Sequence, residues 1–199
     1  GWLHIPYLPF SYNDPMSLLL RSDGSLLVGY TAATEPADRW AMFVAKVSSA
    51  GILDSTFGKQ GIAQVDYGFD TWSHIQNICV QSDQKIIVVG QSSDVYNPQE
   101  KDPTQFAISR LNTSGQLDSQ FGKDGKASLS FGPRNDAVSC LIMPSGDILV
   151  GGNSMSSKKV YSFLMAFVTP QGILDTQMEL GAGYREFALG NGSLGQRLL

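Results

Sequence analysis

The sequence predicts an all-β chain built from about three copies of a four-stranded antiparallel unit. Two observations carry that prediction. Nearly the same nine residues occur twice, as LDSTFGKQG from Leu53 and as LDSQFGKDG from Leu117, and Ile173 begins a third, partial copy, ILDT. Two kinds of turn marker also recur with one period of about 60 residues. One is Ser22-Asp23-Gly24, Ser82-Asp83-Gln84 and Pro144-Ser145-Gly146; the other is the Gly-x-Leu-Asp stretch that starts at Gly51, Gly115 and Gly172. A catalytic motif rarely needs repeating, whereas a stacked structural unit does.

The elements of a unit follow in order. LLLRSDGSLLVGY, NICVQSDQKIIVVGQ and SCLIMPSGDILVGGN each hold two short apolar runs around a turn. Runs this short, rich in Val, Ile and Leu and bounded by Asp, Gly and Ser, are hairpin strands and not helices. MFVAKVSSAG, FAISRLNTSG and FLMAFVTPQG supply a third strand, and GIAQVDYGF and GKASLSFGP a fourth. Four strands in such a unit make a β-propeller-like blade. The units run approximately over 11–70, 71–132 and 133–180 of one domain, 1–199, with an atypical tail at 181–199. At the N-terminus GWLHIPYLPF reads as a fourth strand without its three predecessors; in the third unit TQMELGAGYREFALGNG stands where the fourth strand belongs. A ring of blades typically needs about 4–8. The array is therefore expected to be incomplete as a single chain, exchanging strands with a second copy or joining a larger assembly. The chain starts at Gly1 without a Met, which reads as a processed form or a piece of something longer.

The repeated motif reads as a staple. Its glycines permit positive φ. Asp54 and Asp118 can close Asx turns with the backbone that follows them. Leu53, Leu117, Phe57 and Phe121 supply apolar contact, with Gly58 and Gly122 behind the rings, so that each Phe plugs the space between neighbouring sheets.

Composition narrows the function classes. Hydrophobic residues are 42% and charged residues 16%, too apolar for disorder and without the long apolar run of a transmembrane helix. A net charge of -4 with no basic cluster excludes nucleic acid as the expected partner. No GxSxG, HExxH, Walker or GxGxxG context occurs, and no cofactor is implied.

FAISRLNTSGQLDSQFGKDGK (106–126) and QSDQKIIVVGQ (81–91) resemble the bacterial delta-60 repeat family. The resemblance covers about 1–176 in three copies, of which the middle is best; the first has Tyr30 and Lys46 where the second has Gly90 and Arg110, and the third has Met178 where Phe is expected. It implies a β-propeller-like domain, an extracellular or cell-envelope location in a bacterium, and no general catalytic residues.

Aligned copies expose three candidate sites. Asp14, His74 and Asp136 stand eight residues before each turn marker, at the start of each first strand and near a central channel. They are expected to be a polar set, not metal ligands. The connections between second and third strands, 31–40, 92–104 and 154–160, differ most and carry Arg39, Trp40, Tyr96 and Lys101, candidate recognition residues on a rigid frame. Cys79 and Cys140 align one position apart and so face opposite sides of their strands, which reads as two buried free thiols without a disulfide.

The expected function is a non-catalytic interaction or structural scaffold, with protein partners or a homo-oligomer. The alternative is a carbohydrate or small-ligand module using Trp72 and Asn77. An enzyme is the third reading and would need Asp14, His74 and Asp136 within hydrogen-bonding reach of one another.

Overall fold

Apolar runs cut by tight turns become strands throughout the computed structural model, which describes residues 13–34, 39–68, 71–94, 102–157, 160–177 and 181–188. The first sheet has the order β1 (Asn13–Leu20), β2 (Leu26–Thr34), β3 (Arg39–Val47), β4 (Ile62–Val65). The second is β5 (Trp72–Val80), β6 (Ile86–Ser93), β7 (Gln105–Leu111), β8 (Lys126–Leu129), and the third β9 (Arg134–Ile142), β10 (Ile148–Met155), β11 (Tyr161–Val168), β12 (Tyr184–Ala188). Each is a four-stranded antiparallel meander, so the chain is all-β and propeller-like.

The repeat extends to the register. Leu27 lies opposite Lys46, Ile87 opposite Arg110 and Leu149 opposite Phe167. The first strand of every sheet has one bulge, at Met16, Gln76 and Val138. A bulge flips the side-chain alternation at the same point in each copy. Asp14, His74 and Asp136 thereby hold one end of each sheet, while Ile75 and Ala137, just before the bulge, still serve the core.

Two cores separate the three sheets. Leu27, Met42, Val44 and Val65 of the first sheet pack on Ile75, Ile78, Ile86 and Val88 of the second. The other face of the second sheet, with Ile87, Val89, Phe106 and Ile108, packs on Cys140, Ile148, Val150 and Leu164 of the third. The second sheet is thus apolar on both faces, which explains why β6 reads as a continuous apolar run.

The repeated Phe-Gly motif joins these layers. Phe57 and Phe121 are fully buried between sheets. The amide of Gly58 donates to the Ser114 carbonyl and that of Gly122 to the Gln171 carbonyl, both at 2.7 Å. Gly115 and Gly172 receive them at φ +80 and +81; a Cβ there would lie 2.7 Å from the Gly58 nitrogen and 2.8 Å from the Gly122 nitrogen. Each unit therefore clasps the Gly-x-Leu-Asp turn of the next. Asp54 and Asp118 accept from the amides of Thr56 and Gln120 at 3.1 Å, closing the turns. Lys46 pairs with Asp54 at 2.8 Å, and it and Thr56 hold that carboxyl at about 2. In the second unit Arg110 pairs with Asp118 at 2.9 Å, lies over the Phe121 ring and donates to the Pro170 carbonyl of the third unit.

Two expectations are corrected. The third sheet has its fourth strand: β12 comes from the tail that fits no repeat copy and pairs with β11 from Ala166↔Tyr184 to Ser162↔Ala188. A unit ending at residue 180 stops short of it. The third sheet therefore has no vacancy for an exchanged strand, and GWLHIPYLPF lies outside the described residues. Cys79 and Cys140 are joined by a disulfide. They do face opposite sides of their own sheets, opposite Ile87 and Val150. In a stack, however, the forward face of one sheet meets the rearward face of the next. Opposite orientation is the condition for meeting, and the Cα atoms lie 6.1 Å apart.

Replacing Phe121 by Ala is expected to destabilise the domain by about 3–5 kcal/mol, read from a chemical denaturation midpoint. An unchanged midpoint would show that the ring is not core. The disulfide closes a separation of 61 residues. Its reduction is expected to lower stability by up to about 4 kcal/mol. Equal midpoints with and without reductant would overturn that.

Candidate functional site at one end of the sheets

The bulges and the shared register bring the polar candidates to one end of the stack. Asp14 lies opposite Thr31, His74 opposite Gln91 and Asp136 opposite Asn153, the same position in each sheet. β5 packs against β1 on one side and β9 on the other, so the three first strands are neighbours. The connections after β2, β6 and β10 leave from this same end.

Only one pair of the three is in contact. His74 Nε2 lies 3.5 Å from Asp14 Oδ2, with the Asp14 side chain half-exposed. Burial lowers the His74 pKa below its ordinary 6.5, and the Asp14 carboxylate opposes that shift. Neutral imidazole is the form at neutral pH, so the contact is not a full ion pair there. Trp72 stacks on the imidazole at 5.7 Å between ring centroids. His74 Nδ1 and Asp136 Oδ1 are buried and have no hydrogen-bond partner among the described residues. Burial pushes Asp136 up to about 6, against the pull of Arg134. No ion pair joins Asp136 to His74 among the described residues, so the triad that an acid–base reaction would need is not assembled. Groups of three or more His, Cys, Asp or Glu that could hold a metal ion are not found among the described residues.

The recognition loops are shorter than the sequence suggests. β2 continues through Thr34 and β3 begins at Arg39, leaving 35–38 as the connection. Arg39 contributes backbone to β3, and Trp40 is half-buried in that strand, its carbonyl accepting from Ser73 Oγ at 3.4 Å. Tyr96 and Lys101 lie outside the described residues. Trp72 and Asn77 do not converge. Trp72 is opposite Ser93 and Asn77 opposite Val89, and the Asn77 amide oxygen accepts from the Ile78 amide at 2.7 Å.

Sequence reasoning missed Thr104 and Asn135. Both are buried. Thr104 Oγ1 donates to the Asn135 carbonyl and accepts from the Asn135 amide, each at 2.9 Å, and Asn135 Nδ2 donates to the Thr104 carbonyl at 2.8 Å. The Thr104 amide donates to the Pro133 carbonyl at 3.1 Å, and Ser93 Oγ to the Pro103 carbonyl at 2.8 Å. This network fixes the end of the β6–β7 connection to the first strand of the third sheet. A polar residue beside Asp136, in a strand otherwise rich in apolar residues, was the available signal.

A family model described as "Domain of unknown function (DUF5122) beta-propeller" matches residues 81–121. Those residues run from the β5–β6 turn through β6 and β7 to Phe121, the core of the second unit. No curated protein matches the chain.

Asp136 yields a pH dependence. Its folded pKa lies above the ordinary 3.8, so between the two values the folded chain keeps a proton that the unfolded chain has released. Stability from this group is full below the lower value, falls as pH rises toward about 6 and is level above it. Asp136→Asn is expected to stabilise the domain by roughly 1–3 kcal/mol at neutral pH and to change little near pH 4. Denaturation midpoints at the two pH values check it; a destabilised variant at neutral pH would show that the carboxylate has a partner.

Proposed function

We propose that this chain is a non-catalytic protein-interaction scaffold of the delta-60-like kind, acting in an oxidising bacterial compartment at the envelope or outside the cell. One observation carries the reading: the strand ends that lead into the three connections that differ most between units, and the ladder of Asp14, His74 and Asp136, lie at one end of sheets that are clasped and cross-linked from within. Fixed layers with varied polar connections at one end favour recognition of a macromolecule over chemistry on a small one. The base of the β6–β7 connection is held by Thr104 and Asn135, so whatever it presents is presented from a rigid edge. The Cys79–Cys140 disulfide supports the compartment, because such bonds persist where the surroundings are oxidising. The family-model match supports the propeller character of the repeat.

Replacing residues 95–101 by a Gly-Ser linker of equal length tests the reading. The expected outcome is an unchanged melting temperature with loss of a protein partner that the unaltered chain retains from a bacterial envelope extract. Retention of the same partner by the variant, or glycan binding abolished by Trp72→Ala, would overturn the assignment.

A further inference from the structure

The chain makes its clasp twice and offers the receiving half of it a third time. At each completed clasp a turn takes the Phe-Gly pair of the preceding unit. Ring atoms of Phe57 lie 3.0 Å from a Cβ position on Gly115, and ring atoms of Phe121 lie 2.9 Å from one on Gly172. The amides of Gly58 and Gly122 reach the carbonyls of Ser114 and Gln171, the residues just before those glycines. Arg110 adds a bond to the Pro170 carbonyl, one residue further back.

The turn of the first unit has the same build. Gly51 has φ +78, beside +80 and +81 at Gly115 and Gly172. The Gly51 amide donates to the Ser48 carbonyl at 2.9 Å and the Ser48 amide to the Ile52 carbonyl at 2.8 Å; in the second unit Gly115 donates to Asn112 at 3.0 Å and Asn112 to Gln116 at 2.8 Å. Ala50 stands where Ser114 and Gln171 do, and Ser49 where Pro170 does. What this turn lacks is the plug. Nothing lies within 4 Å of a Cβ position on Gly51, and no backbone amide among the described residues bonds to the Ala50 carbonyl.

The strand beside the turn agrees. Leu18 and Leu20, opposite Val28 and Leu26, hold on β1 the positions of Ile78 and Val80 on β5 and of Cys140 and Ile142 on β9. Ile78 and Cys140 are covered by the preceding sheet and are 3% and 7% exposed, whereas Leu18 and Leu20 are 69% and 70% exposed. Further along the same face Tyr30, Ala32, Ala41, Phe43 and Ala45 are buried. The opening is therefore a corner, bounded by the Gly51 turn and the end of β1, and not a whole sheet face.

We infer that this corner is a docking socket for a Phe-Gly turn carried by another polypeptide. The two filled sockets define the chemistry of the occupant. It brings an aromatic ring to cover Leu18 and Leu20, and a glycine after the ring whose amide donates to the Ala50 carbonyl. A second copy of this chain does not supply it. Phe57 and Phe121 are fully buried in their own clasps, and the third unit reads Met178-Glu179 where the first two have Phe-Gly. The occupant is a partner with an unpaired copy of the motif. A buried aromatic anchor is the usual centre of an interface hot spot. The socket follows β3 at Val47, opposite Leu26, while the varied connections leave from the Asp14 end of the sheets. It is a second surface, and the inference goes beyond the scaffold reading.

The probe is the motif of the second unit as a free peptide, LDSQFGKDG, titrated into the isotope-labelled chain. One ring and one backbone bond give weak affinity, so the titration runs to millimolar peptide. Saturable shifts are expected in the amide signals of Leu18, Leu20, Gly51 and Ile52, and none when the Phe of the peptide is replaced by Ala. Gly51→Asn in the chain is expected to abolish them. Asn tolerates positive φ, so the turn is kept, and its Cβ blocks the incoming amide as a Cβ on Gly115 would, at 2.7 Å from the Gly58 nitrogen. Leu20→Glu probes the same corner from the strand and is also expected to abolish binding; its exposed position predicts a folded variant, which circular dichroism checks. The absence of shifts at millimolar peptide would overturn the inference. So would shifts that survive the loss of the peptide ring or both chain variants, or shifts that map to Leu141 and Phe187 on the third sheet. None of these outcomes touches the partner test at residues 95–101, where the scaffold reading is decided separately.

Discussion

The clasp between a Phe-Gly pair and the Gly-x-Leu-Asp turn of the next unit is the contact on which the rest of the structure depends. It acts on three levels at once. The ring fills the space between two sheets, the Gly amide bonds to a carbonyl of the next unit, and the receiving Gly lets the backbones approach to a distance that any Cβ would prevent. Other contacts join the sheets, among them the disulfide and the Thr104–Asn135 bonds, but the clasp adds to the apolar faces, at both junctions, a fixed point of rotation and register. With it, the turn of one unit is a fixed point for the next. The repeat spacing follows from this: a unit must run from the turn it offers to the Phe it inserts before the next unit can begin.

This explains why the fold was so legible. Turn markers, apolar runs and the nine-residue motif are local features, and each maps onto one strand end or one clasp. The fourth strand of the third sheet was not legible. β4 and β8 follow a Phe-Gly clasp, and the sequence before β12 has Met178 in place of that Phe. Once the clasp signature is gone, Tyr184–Ala188 is a short mixed run with Arg and Glu in it. Its partner β11 specifies it instead, since an uncovered strand edge leaves a row of unpaired backbone groups. That is a tertiary cause with no local mark.

The disulfide and the polar ladder show a different limit. Cys79 and Cys140 lie on opposite sides of their sheets, which would keep them apart if their strands were neighbours in one sheet. Stacking reverses it. For Asp14, His74 and Asp136 the register was readable and the distances were not. Equal positions in successive sheets are neighbours, but the spacing between sheets decides whether their side chains meet. The result is one contact, between His74 and Asp14, and one carboxylate held toward its protonated form by burial. Thr104 and Asn135 escaped notice because their bonds join two units, and the counterpart between the first two, from Ser73 Oγ to the Trp40 carbonyl at 3.4 Å, uses different residue types at the same positions.

The two ends of the stack carry the remaining argument. Here the outer positions are Leu141 and Phe187 on the third sheet and Leu18 and Leu20 on the first, all exposed. Substitutions at the third unit are selective: Phe167 replaces a cation and Arg185 replaces an alanine, while the positions of Phe163 and Met165 stay apolar. A surface under no constraint from packing would be expected to lose apolar residues along the whole face and not to trade a charge between adjacent strands.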